Sequence, residues 1–256
     1  MIVAVHQAPY EELPAALATA AERGATLVVS AEMITTGYAI GAAAVAERAE
    51  PADGPLAQEL AALARHHGVA LVYGYPEREG DAVYNSAQLL SAQGERLANY
   101  RKTHLFGDLD RDQFSAGTEP VVQADLDGLR VGLLICYDVE FPELVRVHAL
   151  AGTQVLLVPT ALMRPYEFVA DTLVPARAYE SQLYVVYANR CDVEGELSYC
   201  GRSTVAAPDG TTTQAGEGPE LLISEIDGTV FTQPPNTYLA DRRPALYRSL
   251  TEGPPA

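Results

Sequence analysis

Short apolar runs rich in β-branched residues, bounded by turn formers, alternate along this 256-residue chain with longer Ala-, Leu- and Glu-rich stretches. Two hydrophobic periods in one chain confine it to the α/β class. Ile2–Val5, Thr26–Val29, Ala70–Tyr75, Ser86–Leu90, Arg96–Arg101, Leu129–Ile135 and Val155–Pro159 read as strands, and Tyr184–Ala188, Ser203–Ala207 and Leu221–Glu225 continue the series. Glu11–Arg23, Leu56–His66, Pro142–Ala151 and Phe168–Gln182 carry apolar residues at helical spacing. Glu77–Asp81 and Ala92–Glu95 sit between apolar strands and read as hairpin turns, so the sheet is not a simple β/α alternation. No internal repeat or linker-like shift appears, which favours a single domain over 1–256. Its last segment, Phe231–Ala256, is proline-rich and reads as an extended tail of the kind that packs on a partner subunit or frays.

Charge and composition exclude several functions. A formal charge of −17 repels nucleic acid and anionic membrane surfaces alike. No apolar run approaches the roughly 20 residues that span a bilayer, and Met1–Gln7 reads as a first strand rather than a signal peptide. Three cysteines, Cys136, Cys191 and Cys200, form an odd set without zinc-like spacing, as expected of free thiols in a reducing cytoplasm. The excess of carboxylates fits a protein that stays soluble in high salt, and high-GC coding would produce the same shortage of lysine.

That shortage is extreme: Lys102 is the only lysine, and every other basic side chain is arginine. An ammonium approaches a single atom from a single direction, whereas a guanidinium is wide and planar. Lys102 is therefore either an ordinary surface residue or a group whose task arginine cannot perform. It follows the strand Arg96–Arg101. Glu32 likewise follows the apolar strand Thr26–Ser30, where a carboxylate either caps the next turn or has a partner. Cys136 ends the buried-type strand Leu129–Ile135 just before a turn and a helix. It is either a core cysteine or a thiol exposed at a pocket floor. A carboxylate, an ammonium and a thiol thus stand at three strand ends, where α/β proteins gather functional groups. His104, two residues beyond Lys102, is a candidate for the same pocket. Glu140, Glu143 and Arg146 read either as an ion-pair network behind Cys136 or as solvated helix residues. There is no Gly-x-Ser-x-Gly elbow, phosphate loop or metal-ligand cluster.

The runs Ser30-Ala31-Glu32…Thr36-Gly37-Tyr38, Tyr100-Arg101-Lys102-Thr103-His104-Leu105-Phe106-Gly107 and Leu134-Ile135-Cys136-Tyr137-Asp138-Val139-Glu140-Phe141-Pro142-Glu143 resemble the three signature regions of the nitrilase superfamily of carbon–nitrogen hydrolases. The likeness extends through Tyr73–Glu77, Tyr84–Ser86, Val158–Ala161 and Tyr187–Arg190. Gly107-Asp108-Leu109-Asp110-Arg111 and Tyr238–Arg243 are similar to aliphatic amidases of the 5-aminopentanamidase type. The resemblance implies a four-layer αββα sandwich, pairing into an eight-layer αββααββα dimer, a Glu32-Lys102-Cys136 triad and no cofactor. It also implies Asp110 as a fourth catalytic carboxylate, where many relatives have glutamate, with Asp108 as the alternative. Tyr137, Tyr38, His104, Thr160 and Ala161 would surround the oxyanion and substrate. The activity so implied is hydrolysis of short aliphatic amides, ω-amino amides included, through a cysteine thioester. Nitriles, N-carbamoyl compounds and an idle scaffold role are the alternatives.

Overall fold

The structure, a computed structural model, describes residues 1–252. Five strands come first: β1 (Ile2–Gln7), β2 (Leu27–Ser30), β3 (Ala70–Glu79), β4 (Ala82–Leu90) and β5 (Arg96–Arg101). Next come β6 (Gln123–Leu126), β7 (Leu129–Leu133), β8 (Val155–Pro159) and β9 (Tyr184–Ala188), then the small hairpin β10 (Val193–Glu194) and β11 (Leu197–Ser198). β12 (Thr204–Ala206), β13 (Thr212–Gln214) and β14 (Glu220–Glu225) complete the set. The helices are α1 (Leu13–Glu22), α2 (Ala42–Arg48), α3 (Pro55–His67), α4 (Gly107–Arg111), α5 (Pro142–Leu150), α6 (Val174–Ser181) and α7 (Ser249–Glu252).

Two six-stranded sheets result, ordered β14-β1-β2-β3-β4-β5 and β13-β12-β9-β8-β7-β6. Each has a parallel trio at its centre, β1-β2-β3 or β7-β8-β9, extended by antiparallel strands on both sides. The two halves therefore share an architecture although no sequence repeat betrays it. Period-2 alternation assigns the faces. Val3, Val5, Val29 and Val72 point toward Val131, Leu133, Leu157 and Val186 of the other sheet, while Ala4, Val28 and Leu71 pack under Leu13, Leu17 and Leu60 of α1 and α3. Leu144 and Val145 of α5 and Val174 and Ala178 of α6 cover the second sheet. The layers run α–β–β–α, as the resemblance implied. Each fully buried aliphatic side chain contributes roughly 1.5–3 kcal/mol.

Local chemistry explains most element ends. Pro55 opens α3 and Gly68, at φ 66°, closes it; Pro142 opens α5. The helix expected over Phe168–Gln182 starts instead as a π-helical turn, Val169–Leu173, before α6. Pro175 has no N–H to give the Asp171 carbonyl, so the regular ladder begins late. Two short helices, α2 and α4, escape pattern reading because a turn or two shows no period. The proline-rich tail is not simply extended: it holds a 3₁₀ turn at Pro244–Leu246 and α7. It is fastened to the end of α6, where Gln182 donates to the Asn236 side chain (2.7 Å) and Asn236 donates to the Tyr179 carbonyl (2.9 Å). Residues 253–256 of the expected tail lie outside the described residues.

One glycine decides how closely β3 approaches the end of β2. A Cβ on Gly74 would stand 2.6 Å from the Met33 nitrogen and 2.7 Å from both the Ala31 oxygen and the Glu32 Cα. All three are backbone atoms and cannot swing away. Gly74→Ala is expected to cost about 1–3 kcal/mol and to displace Glu32, whereas Gly218→Ala, where a Cβ meets nothing within 4 Å, is neutral. Thermal unfolding of both variants checks this.

Candidate active site

Glu32, Lys102 and Cys136 leave the ends of β2, β5 and β7 and meet at one edge of the sandwich. Main-chain bonds set each in place. The Glu32 N–H donates to the Thr160 carbonyl just past β8 (3.3 Å), tying the first sheet to the second. The Lys102 N–H donates to the Asn85 carbonyl (2.8 Å), and its own carbonyl accepts from Gly117 (2.8 Å). Cys136 opens a 3₁₀ turn, Cys136–Glu140, at φ 45°, and Met33, next to Glu32, has φ 50°. Left-handed backbone at non-glycine residues is strained, and here it falls at Cys136 itself and directly after Glu32.

Lys102 is fully buried. Its Nζ donates to Glu32 Oε1 at 2.8 Å and to Asp110 Oδ2 at 2.7 Å, and it lies 5.6 Å from the centre of the Tyr38 ring. Asn85 Nδ2 donates to the same Glu32 Oε1 (2.6 Å). Asp110, on α4, is held by the Tyr38 hydroxyl (2.7 Å) and the Phe106 N–H (2.8 Å). Asp108, by contrast, has a side chain 94% exposed and faces Arg111 at 3.7 Å, so only Asp110 reaches the lysine. Glu32 Oε2 is buried and has no hydrogen-bond partner among the described residues.

Electrostatics follow from this arrangement. Burial raises the Glu32 carboxyl above its ordinary value; Lys102 opposes the shift and Asp110 adds to it. Burial would push the Lys102 ammonium down, but Glu32 and the other anionic neighbours hold it well above its usual range. The Cys136 thiol is pushed well up, first by burial and then by the Glu32 carboxylate. A thiol pushed up in this way shares the site with the Glu32 carboxyl, whose second oxygen is unengaged.

A cavity of about 270 Å³ opens onto Cys136. Tyr38, Phe106, Tyr137, Tyr166 and Phe168 supply aromatic walls; Ala161, Leu162 and Met163 supply apolar ones; Glu140 is the lone carboxylate. The Ala161 main chain, beside the Cys136 sulfur, opposes part of the rise in the thiol. Thr160 does not line the cavity: it is buried behind it, holding Glu32 through its carbonyl. His104 is also turned away, stacked on Phe141 at 3.9 Å with Nδ1 3.0 Å from Asp138 Oδ1. Among the described residues Glu140, Glu143 and Arg146 form no ion-pair network; Arg146 donates to the Glu180 carbonyl (2.6 Å) instead.

Two further residues in the resembling runs act as supports. Asn85, within Tyr84–Ser86, is a polar side chain at a buried position of β4. Asp138 is fully buried, and its Oδ2 accepts from Tyr100 (2.9 Å) and the Ile135 N–H (3.1 Å). Its Oδ1 accepts from Thr103 (3.0 Å) and the His104 N–H (2.9 Å). One carboxylate thereby sutures the lysine-bearing segment to the cysteine turn. Arg177, from α6, braces the same turn from behind through the Val139 and Glu140 carbonyls (3.1 and 2.8 Å). Neither Arg177 nor the aromatic wall Phe106-Tyr166-Phe168 has a local signature, because each acts across the fold.

Known proteins share this arrangement of elements. The carbon–nitrogen hydrolase family model matches residues 5–233. The protein called "Hydrolase in pqqF 5′ region" of Pseudomonas protegens is 52% identical over 232 residues, covering 89% of this chain and 81% of its own. An (R)-stereoselective amidase from Pseudomonas sp is 37% identical over 89% of this chain and 83% of its own. A solved amidase from Nesterenkonia sp. AN1 superposes with a TM-score of 0.85 at 34% identity, over 98% of this chain and 99% of that one. Variants of that amidase have been solved with butyramide bound and with acrylamide added at the active-site cysteine. Matched over most of its length, the chain belongs to the carbon–nitrogen hydrolase family, the nitrilase superfamily, and is one of its enzymes.

Proposed function

We propose that this protein is an amidase that hydrolyses short aliphatic amides, ω-amino amides included, to a carboxylic acid and ammonia. The observation carrying this reading is the unengaged, buried Oε2 of Glu32 beside a half-buried thiol, with Lys102 tied to the other oxygen. As Cys136 attacks the amide carbon, the thiol proton passes to Glu32 and a C–S bond forms. The developing oxyanion is met by Lys102, which has one N–H left after serving Glu32 and Asp110, and by the Tyr137 main-chain N–H. Glu32 returns its proton to the departing nitrogen, the C–N bond breaks and ammonia leaves. Water then adds to the thioester with Glu32 again as base, releasing the acid and restoring the thiol. Asp110 keeps Lys102 charged and aimed.

The cavity supports a compact, largely apolar acyl chain: its volume suits a few carbons, and most of its wall is aromatic or aliphatic. The similar amidase solved with butyramide takes an amide of that size. The Tyr38, Ala161 and Tyr137 positions read as substrate contacts, Thr160 and His104 as supports. The homodimer is read from exposed Val147 and Leu150 on α5 together with Leu246 and Leu250 of the tail.

Purified protein is expected to release ammonia from propionamide and 5-aminopentanamide faster than from a nitrile or an N-carbamoyl amino acid. Cys136→Ala abolishes this, and Lys102→Arg lowers it by about 10²-fold or more, since a guanidinium does not fit between two carboxylates; near-normal turnover by Lys102→Arg would sink the scheme. The pH dependence has a fixed sign. Glu32 must be ionised to act and its carboxyl is held high, so kcat/KM falls on the acid side through a value above the ordinary ~4.3 of glutamate, read from a pH–rate profile on an uncharged amide. Sedimentation at micromolar concentration is expected to give twice the chain mass of 27.4 kDa, and Val147→Asp to shift it toward one.

A further inference from the structure

Among the described residues Glu140 is the one carboxylate lining the cavity, and the proposed chemistry leaves it unused. It closes the 3₁₀ turn that Cys136 opens, so its carboxylate and the sulfur belong to one short rigid segment facing one cavity. Among the described residues no lysine or arginine lines that cavity. The nearby cations are committed elsewhere: Lys102 to Glu32 and Asp110, and Arg177 to the Val139 and Glu140 carbonyls and the Glu180 carboxylate (3.0 Å). Among the described residues nothing hydrogen-bonds or pairs with the Glu140 side chain, which is half-buried beside aromatic rings. Burial raises its carboxyl, with Lys102 and Arg177 opposing. A carboxylate so placed loses its remaining contact with water when a substrate fills the cavity, and is then costly unless the substrate compensates it.

We infer that Glu140 is the charge filter of the acyl pocket. It disfavours amides whose acyl chain ends in an anion and favours those ending in an ammonium or another hydrogen-bond donor. This rests on the amidase reading. Glu140 neither attacks nor transfers a proton; it acts by the sign of its charge on the far end of a chain attached at Cys136. Charge pairs a few ångströms apart in such a half-buried site are worth enough to change specificity by tenfold or more.

The test uses three five-carbon amides of nearly equal length: 5-aminopentanamide, pentanamide and glutaramate. The readout is the ratio of kcat/KM for 5-aminopentanamide to that for glutaramate. It is measured at one ionic strength for wild type, Glu140→Gln and, as a control for net charge, Glu22→Gln on the exposed face of α1. Both numbers come from one preparation, so the ratio does not depend on the folded fraction. Glu140→Gln is expected to lower the ratio about tenfold or more, with Glu22→Gln leaving it as in wild type. An unchanged ratio in Glu140→Gln, a fall equal to that in Glu22→Gln, or an equal loss on all three amides would overturn the proposal. Wild type that releases ammonia from none of the three would instead remove the amidase reading itself.

Discussion

The site hangs on one buried ammonium. Lys102 has no exposure to water and is held between two carboxylates at 2.8 and 2.7 Å. Taking an ion from water costs several kcal/mol, and removing one partner of such a cluster is typically worth 3–5 kcal/mol in destabilisation. That cost makes the cluster a constraint on the whole fold. β2, β5 and α4 must all arrive together for the lysine to be tolerated. Gly74 permits the approach of Glu32, and Gly117 packs against Arg101 to hold the lysine segment. The same arrangement leaves one carboxylate oxygen of Glu32 buried without a hydrogen-bond partner among the described residues, which is the feature that the proposed base role uses.

The Cys136 turn is organised separately and then joined on. A left-handed Cys136 turns the chain sharply at the end of β7, and the strain is supported by Asp138 in front and Arg177 behind. Asp138 is the joint, since its two oxygens bind both the turn and the Thr103–His104 segment that follows Lys102. The mutual placement of Glu32, Lys102 and Cys136 therefore depends on a residue that touches neither Glu32 nor Lys102. The aromatic walls, contributed by the Phe106, Tyr137 and Tyr166–Phe168 segments, add the apolar surroundings in which such charges act strongly.

Much of this was legible in the chain. The strands and main helices emerge from period-2 and helical spacing because half-buried layers enforce those periods, and the four-layer order follows the family resemblance. Boundaries moved where local chemistry intervened, as at Pro175. Short elements such as α4 went unseen, although α4 carries Asp110, because five residues cannot display a period. His104 and Thr160 were expected at the substrate, and both lie behind the cavity wall. Adjacency in sequence to Lys102 or Ala161 does not say which way a side chain points once the backbone leaves a strand.

What the sequence determined by itself was the inventory and its order: a single lysine, a carboxylate and a thiol at three strand ends, set in runs that match a hydrolase family. These are properties of composition and spacing, local enough to be read without coordinates. Only the tertiary structure brought Asp110 rather than Asp108 to Lys102, left Oε2 of Glu32 unpartnered, made Asp138 the joint and put Glu140 on the cavity wall. Each of those is a relation between segments far apart in sequence. Packing of two sheets and the desolvation of one ammonium select them, and neither quantity exists until the chain has folded.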